Sequence, residues 1–219
     1  MTVAQKYVCL WMIVATGYLA IVGCSEKTEP DGYGGRGGIP KAIRFRDTVK
    51  TNSNVERDIT ELSFVDINGD ERQLKEIVGD KNAVVVMTRG FAGYICPYCS
   101  TQTSRLISNY AKFADRDAEV VVVYPIETSD ERERLDQFLV ATRKHLSDPG
   151  TEVPFPILLD VELKAVDQLG IRKDLSKPAT YILDKMGQMR FAYVGETFAD
   201  RPSIKAMLDQ LETLNEGQR

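Results

Sequence analysis

The feature that most constrains the fold is a pair of unbroken apolar runs, at residues 83–87 (AVVVM) and 120–123 (VVVV). Neither run alternates apolar with polar residues, so each predicts a strand covered on both faces, over residues 83–88 and 119–125. Apolar residues at helical spacing follow each strand, over residues 96–113 and from Ser129 to about residue 146. Strands that alternate with helices in this way predict right-handed crossovers between parallel strands.

The chain after residue 58 adds shorter elements to this pattern. Turn residues and apolar periods predict an Asn68-Gly69 turn, a helix at 74–78, a strand at 155–159, a helix at 163–169 ended by Gly170, a hairpin of strands 180–184 and 189–194, and a closing helix at 202–214. The hairpin adds antiparallel strands to a sheet that is otherwise built by crossovers. Together they predict an α/β fold, a three-layer α/β/α sandwich with a mixed central sheet, over residues 58–216.

A Cys-Pro-Tyr-Cys sequence at residues 96–99 follows the first buried strand and opens the helix behind it. The field at a helix start stabilises a thiolate, and Pro97 suits the first helical position. A thiolate on Cys96 attacks a disulfide or a peroxide, and Cys99 then resolves the product. A disulfide closing so short a loop adds little stability, so the pair predicts chemistry rather than a structural bridge. This arrangement is typical of a thioredoxin-like redox site.

The first residues of the chain predict an export signal. One lysine precedes residues 7–23, which carry no charge and are mostly apolar, as in the hydrophobic region of a signal peptide. The stretch that ends it, residues 21–24, resembles the bacterial lipoprotein cleavage box, which implies lipid at Cys24; an uncleaved membrane anchor is the alternative. Both readings place the folded part outside the cytoplasm. Ser25 favours the periplasmic face of the outer membrane over the inner membrane.

Residues 24–57 predict a flexible tether between this signal and the domain. Glycine recurs within residues 32–38, which gives the stretch high chain entropy and few side chains to bury. A phosphate-binding loop is disfavoured, because no strand precedes the glycines and no Gly-Lys-Ser/Thr follows them. Since Cys9 leaves with the signal and Cys24 is taken by lipid, the cysteines of the motif are the only thiols of the mature chain.

Several further segments carry a family resemblance. They are Thr88-Arg89-Gly90, the Cys-Pro-Tyr-Cys motif, residues 177–184 (KPATYILD), Gly187, Arg190, Tyr193-Val194-Gly195 and Ala199-Asp200-Arg201-Pro202. With these, residues 59 to 214 resemble the alkyl hydroperoxide reductase / thiol-specific antioxidant group. This is the redoxin, or peroxiredoxin-like, branch of the thioredoxin superfamily. The resemblance implies a thioredoxin-like fold and thiol chemistry.

The resemblance also implies roles for residues around the two cysteines. Tyr98 matches the Cys-Pro-Tyr-Cys of glutaredoxins. Arg89 adds positive charge near the thiolate, or is a solvated loop arginine. Pro178 is implied to be a cis-proline that faces the cysteines and exposes the backbone of Lys177 for pairing with an extended substrate; a trans proline at a strand start is the alternative.

The sequence departs from the family at the positions before the first cysteine. Peroxiredoxins carry Pro-x-x-x-Thr-x-x-Cys, whose threonine hydroxyl helps to orient the peroxide. Here Gly93 and Arg89 stand three and seven residues before Cys96, and residues 91–95 resemble an insertion. Thioredoxins keep a buried carboxylate as proton acceptor for the second cysteine. The first buried strand offers none, and Glu127 is a weak candidate because loop glutamates are normally solvated.

Composition and the remaining residues narrow the function to three hypotheses. A net charge of −4 without a basic patch disfavours nucleic-acid binding. No bound organic cofactor is implied, and no metal is predicted, because the single histidine, His145, and the two cysteines fall short of the four ligands that zinc usually takes.

The first hypothesis is an exported thiol-disulfide oxidoreductase that acts on protein or small-molecule thiols and disulfides and needs an external redox partner. The second is a peroxiredoxin-like thiol peroxidase that reduces hydroperoxides at Cys96, and the third is a non-catalytic, lipid-anchored binding module. The first two require both sulfurs on one element and within reach of substrate.

Overall fold

The computed structural model describes residues 43–55 and 58–217. The predicted export signal, the lipid attachment at Cys24 and the glycine-rich part of the tether lie outside these residues. Across the described part of the chain, none of the helices combines the length and the apolar character that crossing a membrane requires.

A mixed sheet of seven strands lies at the centre of the domain. The strands are β1 Ser63–Val65, β2 Glu71–Gln73, β3 Asn82–Met87, β4 Ala118–Ile126, β5 Ile157–Val161, β8 Ala179–Leu183 and β9 Met189–Val194, with a separate hairpin of β6 Arg172–Lys173 and β7 Leu175–Ser176. The sheet order is β2-β1-β5-β4-β3-β8-β9. β4 is parallel to both β3 and β5, and the other pairings are antiparallel. Every residue of β3 is buried, as the unbroken apolar run predicts.

Helices cover both faces of this sheet. The described α-helices are α1 Leu74–Val78, α2 Pro97–Ala114, α3 Glu133–Arg143, α4 Lys164–Gln168 and α5 Ile204–Gly217. Because successive strand residues point to opposite faces, Val84 and Val86 pack in one core layer with α2, α3 and α5. Val85 and Met87 pack in the other layer with α1 and α4. The predicted thioredoxin-like α/β/α sandwich with a mixed central sheet is therefore confirmed.

Two local features differ from the sequence prediction. The segment expected to start the helix at Ser129 is a 3₁₀ turn over Ser129–Arg132, and α3 follows it. The β6–β7 hairpin was not predicted, because each of its strands is only two residues long and shows no periodicity. Asp174 turns this hairpin with a positive φ of 54°.

Part of the predicted tether is bound to the domain. The backbone N–H of Arg46 donates to the carbonyl of Arg201 at 2.9 Å, and its carbonyl accepts from the N–H of Ser203 at 2.8 Å. Further along, the side chain of Asn52 donates to and accepts from the backbone of Val194, at 2.9 and 2.8 Å. Residues 43–55 therefore lie along β9 and the start of α5, and residues 24–42 and 56–57 of the predicted tether lie outside the described residues.

A candidate redox site at the start of α2

The two cysteines of the motif lie on the first turn of α2. Cys96 is the N-cap residue with extended backbone, and Pro97 occupies the first helical position, as predicted. Cys99 lies one turn further on, and both side chains are free thiols. The sulfurs therefore share one element, which is the first of the two conditions that the redox hypotheses set.

A buried arginine contacts the sulfur of Cys99. The Arg201 side chain is 1% exposed, and one of its terminal nitrogens donates to Cys99 Sγ at 3.1 Å. Its other terminal nitrogen donates to Gln102 Oε1 at 2.7 Å, and its Nε donates to the carbonyl of Phe198 at 2.7 Å. From the other side, the backbone N–H of Arg89 donates to the same sulfur at 3.4 Å. Cys99 thus accepts from a cation and from an amide.

The turn before α5 holds this arginine in place. The Asp200 carboxylate accepts from the Tyr193 hydroxyl at 2.6 Å and from the Glu196 N–H at 3.0 Å. It also pairs with Arg46 at 2.7 Å. A Cβ on Gly195 would lie 2.1 Å from the Asp200 carbonyl, so only glycine permits this close approach. The turn therefore directs Arg201 inward, onto the start of α2.

The surroundings of the two sulfurs drive their pKa values apart. Burial opposes ionisation of Cys99, but a hydrogen bond from the Cys96 thiol, the Arg201 charge and the Arg89 amide outweigh it and lower its pKa to about 6. The hydrogen bond to Cys99 raises the pKa of Cys96, and burial adds to the rise. The pair thus carries one proton at neutral pH, on Cys96. From the sequence, the thiolate is predicted on Cys96, because the helix field acts at the helix start and Arg89 is one candidate for added positive charge. The structure favours Cys99, because a buried guanidinium contacts it directly.

A short loop between β3 and α2 covers the sulfurs. Cys96 is 3% exposed and Cys99 is 0% exposed, so the second condition of the redox hypotheses, sulfurs within reach of substrate, is not met in this conformation. The Arg89 guanidinium donates to the Tyr94 hydroxyl at 2.8 Å and lies 4.1 Å from the centre of the Phe198 ring. Arg89 is therefore a buried residue and not a solvated one. Among the contacts described, it meets Cys99 through its backbone, while its charge holds the covering loop.

The structure corrects the expectation for Lys177 and Pro178. No described peptide bond is cis, so the bond before Pro178 is trans. The Lys177 N–H donates to the Ile171 carbonyl at 2.8 Å, and its carbonyl accepts from the Ser176 hydroxyl at 2.8 Å. The Pro178 carbonyl accepts from Gly195 at 2.8 Å. These backbone groups are already paired within the chain, and are not exposed to pair with an extended substrate.

The remaining sequence candidates lie around this centre at different depths. Tyr98 is half-buried and packs on the core layer that contains both cysteines. Glu127 is exposed after β4. His145 Nε2 lies 3.4 Å from the hydroxyl of Ser100, the residue next to Cys99. Within residues 43–55 and 58–217, no group of three or more His, Cys, Asp or Glu side chains is placed to hold a metal ion.

Sequence reasoning gave no role to two residues of this site. Arg201 was noted only as part of a family resemblance, although an arginine flanked by aspartate and proline ahead of an amphipathic helix is a weak signal of a special position. Tyr124, a buried tyrosine of β4, lies in the same core layer as the two cysteines. Its sequence signal is a hydroxyl that directly follows the apolar run of residues 120–123 in β4.

The mixed sheet and the cysteine pair at a helix start define a protein of the thioredoxin-like class. A family model for the AhpC/TSA family matches residues 55–192. The chain belongs to the AhpC/TSA family and is a redox oxidoreductase. No curated protein matches the sequence at a significant level.

Solved structures share the fold at low sequence identity. Peroxidoxin BcpB from Mycobacterium tuberculosis has a TM-score of 0.54 and 18% identity, covering 78% of this chain and 99% of that chain. A mutant Peroxiredoxin 6 of Arenicola marina has a TM-score of 0.60 and 15% identity, covering 77% and 76%. DsbF of Mycobacterium tuberculosis has a TM-score of 0.51 and 18% identity, covering 72% and 98%. At these identities the likeness concerns the fold alone.

Proposed function

We propose that this protein is a thiol-disulfide oxidoreductase that uses Cys96 as the attacking sulfur and Cys99 as the resolving sulfur. The observation that carries the proposal is the pair of free thiols on the first turn of α2, with the Arg201 cation on the deeper sulfur. Cys96 is the less buried of the two, so it is the sulfur that substrate meets once the covering loop opens.

The reaction follows from this arrangement. Cys96 passes its proton to Cys99, attacks the substrate disulfide and forms a mixed disulfide, while the first substrate sulfur leaves as a thiolate and takes a proton. Cys99 then loses its proton to solvent, and its thiolate attacks Cys96. The second substrate sulfur leaves, so the protein dithiol is oxidised and the substrate disulfide is reduced. Arg201 favours this second step because it stabilises the Cys99 thiolate, so no carboxylate base is required.

Single-cysteine variants test the two roles. In Cys99→Ser, we expect a stable mixed disulfide with a small disulfide such as hydroxyethyl disulfide, because the resolving sulfur is missing. In Cys96→Ser, we expect at least about tenfold less adduct, because Cys99 is fully buried and poorly accessible. Intact-protein mass spectrometry measures both adducts. Equal adduct formation by the two variants would contradict the assigned order.

A thiol peroxidase is a second candidate, favoured by the closed site. A small hydroperoxide enters where a protein substrate does not, and the Cys99 thiolate beside Arg201 is already ionised. That thiolate attacks the peroxide to give a sulfenic acid and an alcohol or water, and the Cys96 thiol condenses with it to a disulfide and water. Stopped-flow reaction of the reduced protein with hydrogen peroxide separates the two activities. If both single-cysteine variants leave every redox assay unchanged, a binding module is favoured instead.

We further propose that the domain acts in the bacterial cell envelope, attached through lipid on Cys24 at the periplasmic face of the outer membrane. The supporting feature is the apolar stretch that ends in the lipoprotein-like residues 21–24. In a bacterium that processes lipoproteins, we expect Cys24→Ser to abolish incorporation of labelled palmitate. Cys9→Ser, in the apolar stretch itself, is the matched control and retains the label. Equal labelling of the two variants contradicts the attachment.

A further inference from the structure

Tyr124 buries a hydroxyl group that the fold does not use. The side chain is 1% exposed, and its ring stacks on Phe138 with centroids 4.7 Å apart. In the part of the chain that the structure describes, its hydroxyl has no hydrogen-bond partner. Burying an unpaired hydroxyl is unfavourable, and phenylalanine would stack in the same way. The hydroxyl therefore calls for a role outside packing.

The backbone places Tyr124 next to the residue pair that leads to the Cys99 sulfur. The Thr88 N–H donates to the carbonyl before Tyr124, that of Val123, at 2.9 Å. On the other side, Gly90 lies against the carbonyl of Pro125, which a Cβ on Gly90 would approach to 2.4 Å. Tyr124 therefore lies opposite Thr88, one residue before Arg89, whose N–H donates to Cys99 Sγ.

The side chain points to the face of the sheet that carries the sulfurs. Along β4, Val122, Tyr124 and Ile126 belong to the core layer that contains Cys96 and Cys99, whereas Val121 and Val123 belong to the opposite layer. Because strand side chains alternate between faces, the Tyr124 ring lies on the α2 side of the sheet.

The electrostatics of the site keep this hydroxyl protonated. Burial raises the pKa of Tyr124, and the negative charge of the cysteine pair raises it further. The group is therefore a hydrogen-bond donor throughout the physiological pH range, with no acceptor among the described residues.

We propose that the Tyr124 hydroxyl is a catalytic hydrogen-bond donor for the substrate atom that leaves when the cysteine pair attacks. This inference rests on the proposed redox function. When Cys96 forms its bond to one substrate sulfur, the substrate S–S bond breaks and its electron pair goes to the leaving sulfur. The Tyr124 O–H donates to that sulfur until solvent supplies its proton. The hydroxyl thus stabilises the negative charge that develops on the leaving sulfur only after attack begins. In the reduced protein this O–H is uncommitted, because the substrate brings its acceptor.

Two matched variants and two probes test the proposal. Tyr181 on β8 is also buried, its hydroxyl also lacks a described partner, and it packs in the opposite core layer. We measure second-order rate constants of reduced Tyr124→Phe and Tyr181→Phe with hydroxyethyl disulfide, which has a poor leaving group, and with dithiobis(nitrobenzoate), which has a good one. The expected result is a fall of about tenfold for Tyr124→Phe with the first probe and less than about twofold with the second. Tyr181→Phe is expected to match the unaltered protein with both.

Three outcomes overturn the inference. The rate constants of Tyr124→Phe can equal those of the unaltered protein with both probes. They can fall equally with both probes, which is the result of a purely structural role. They can also fall no further than those of Tyr181→Phe. If the unaltered protein reacts with neither probe, the proposed exchange function fails first, and this inference fails with it.

Discussion

Replacing Arg201 with methionine is expected to raise the pKa of the Cys99 thiol from about 6 to about 7 or 8. A hydrogen bond to a charged group is worth about 1.5–3 kcal/mol, and one pKa unit corresponds to about 1.4 kcal/mol. Loss of the guanidinium is therefore expected to raise the pKa of Cys99 by about one or two pKa units. At slightly acidic pH the rate of the resolving step falls about tenfold, because the Cys99 thiolate is the form that attacks the mixed disulfide. At alkaline pH the rate recovers, since Cys99 ionises there without help.

Thiolate absorbance against pH and the pH profile of the redox rate measure this change. Arg201→Lys keeps a positive charge in the same place and is expected to restore part of the shift. Arg190→Met is the matched control, because Arg190 pairs with Asp184 rather than with a sulfur. An unchanged midpoint in Arg201→Met, or an equal shift in Arg190→Met, would show that Arg201 does not stabilise the thiolate.

The same shift makes the stability of the reduced protein depend on pH. The folded-state pKa of Cys99 is lowered, so its contribution to the free energy of unfolding is complete above the pKa of an unfolded thiol, about 8.5. The contribution shrinks as the pH falls and is lost as the pH passes below about 6. In Arg201→Met, the pH range over which Cys99 adds to the free energy of unfolding narrows from its acidic side, because the folded-state pKa of Cys99 moves toward the unfolded value.

The second large effect is expected at Gly90, where alanine should lower the free energy of unfolding by about 2–5 kcal/mol. Left-handed backbone costs an ordinary residue about 1–2 kcal/mol, and Gly90 has a φ of 87°. The added Cβ would also lie 2.4 Å from the Pro125 carbonyl oxygen, so the backbone must move, at a further cost of about 1–3 kcal/mol. That movement displaces the adjacent N–H of Arg89 from Cys99, so the thiolate pKa rises as well.

Gly93 offers a matched control for this substitution. Its φ is 79°, but nothing lies within 4 Å of an added Cβ. Gly93→Ala is therefore expected to cost only the strain of about 1–2 kcal/mol, with an unchanged thiolate pKa. Urea unfolding and thiolate absorbance measure the two quantities. If both variants lose the same stability, the close approach of Gly90 to Pro125 does not constrain the loop.

The elements of the fold were predictable wherever the signal is local. Nearby residues alone reveal the valine runs of β3 and β4, and their spacing reveals the apolar faces of α2 and α5. The β6–β7 hairpin escaped prediction, because two residues a strand carry no period. The paired backbone of Lys177 also escaped, since Ile171 and Gly195 meet that segment only in the folded chain.

In the candidate site, too, only what depends on nearby residues could be predicted. The positions of Cys96 and Cys99 at a helix start follow from the motif and the proline between them. Which of the two sulfurs is ionised does not follow from the motif. It depends on Arg201, which is about a hundred residues away in the sequence and contacts Cys99 only because the turn before α5 directs it there. The contact with a distant cation outweighs both the burial of Cys99 and the helix field at Cys96, and it cannot be read from the residues around the motif.

The pairing of Arg46 with the backbone of Arg201 and Ser203 has a consequence for how the domain responds to its own leading end. The strap formed by residues 43–55 is fastened to the turn that delivers the cation to Cys99. Mechanical pull on that strap, or removal of the residues up to and including Arg46, therefore loosens the turn that positions the Arg201 guanidinium. The pKa of the buried Cys99 thiol then rises. Shortened versions of this protein should be compared by their thiol titration as well as by their melting temperature.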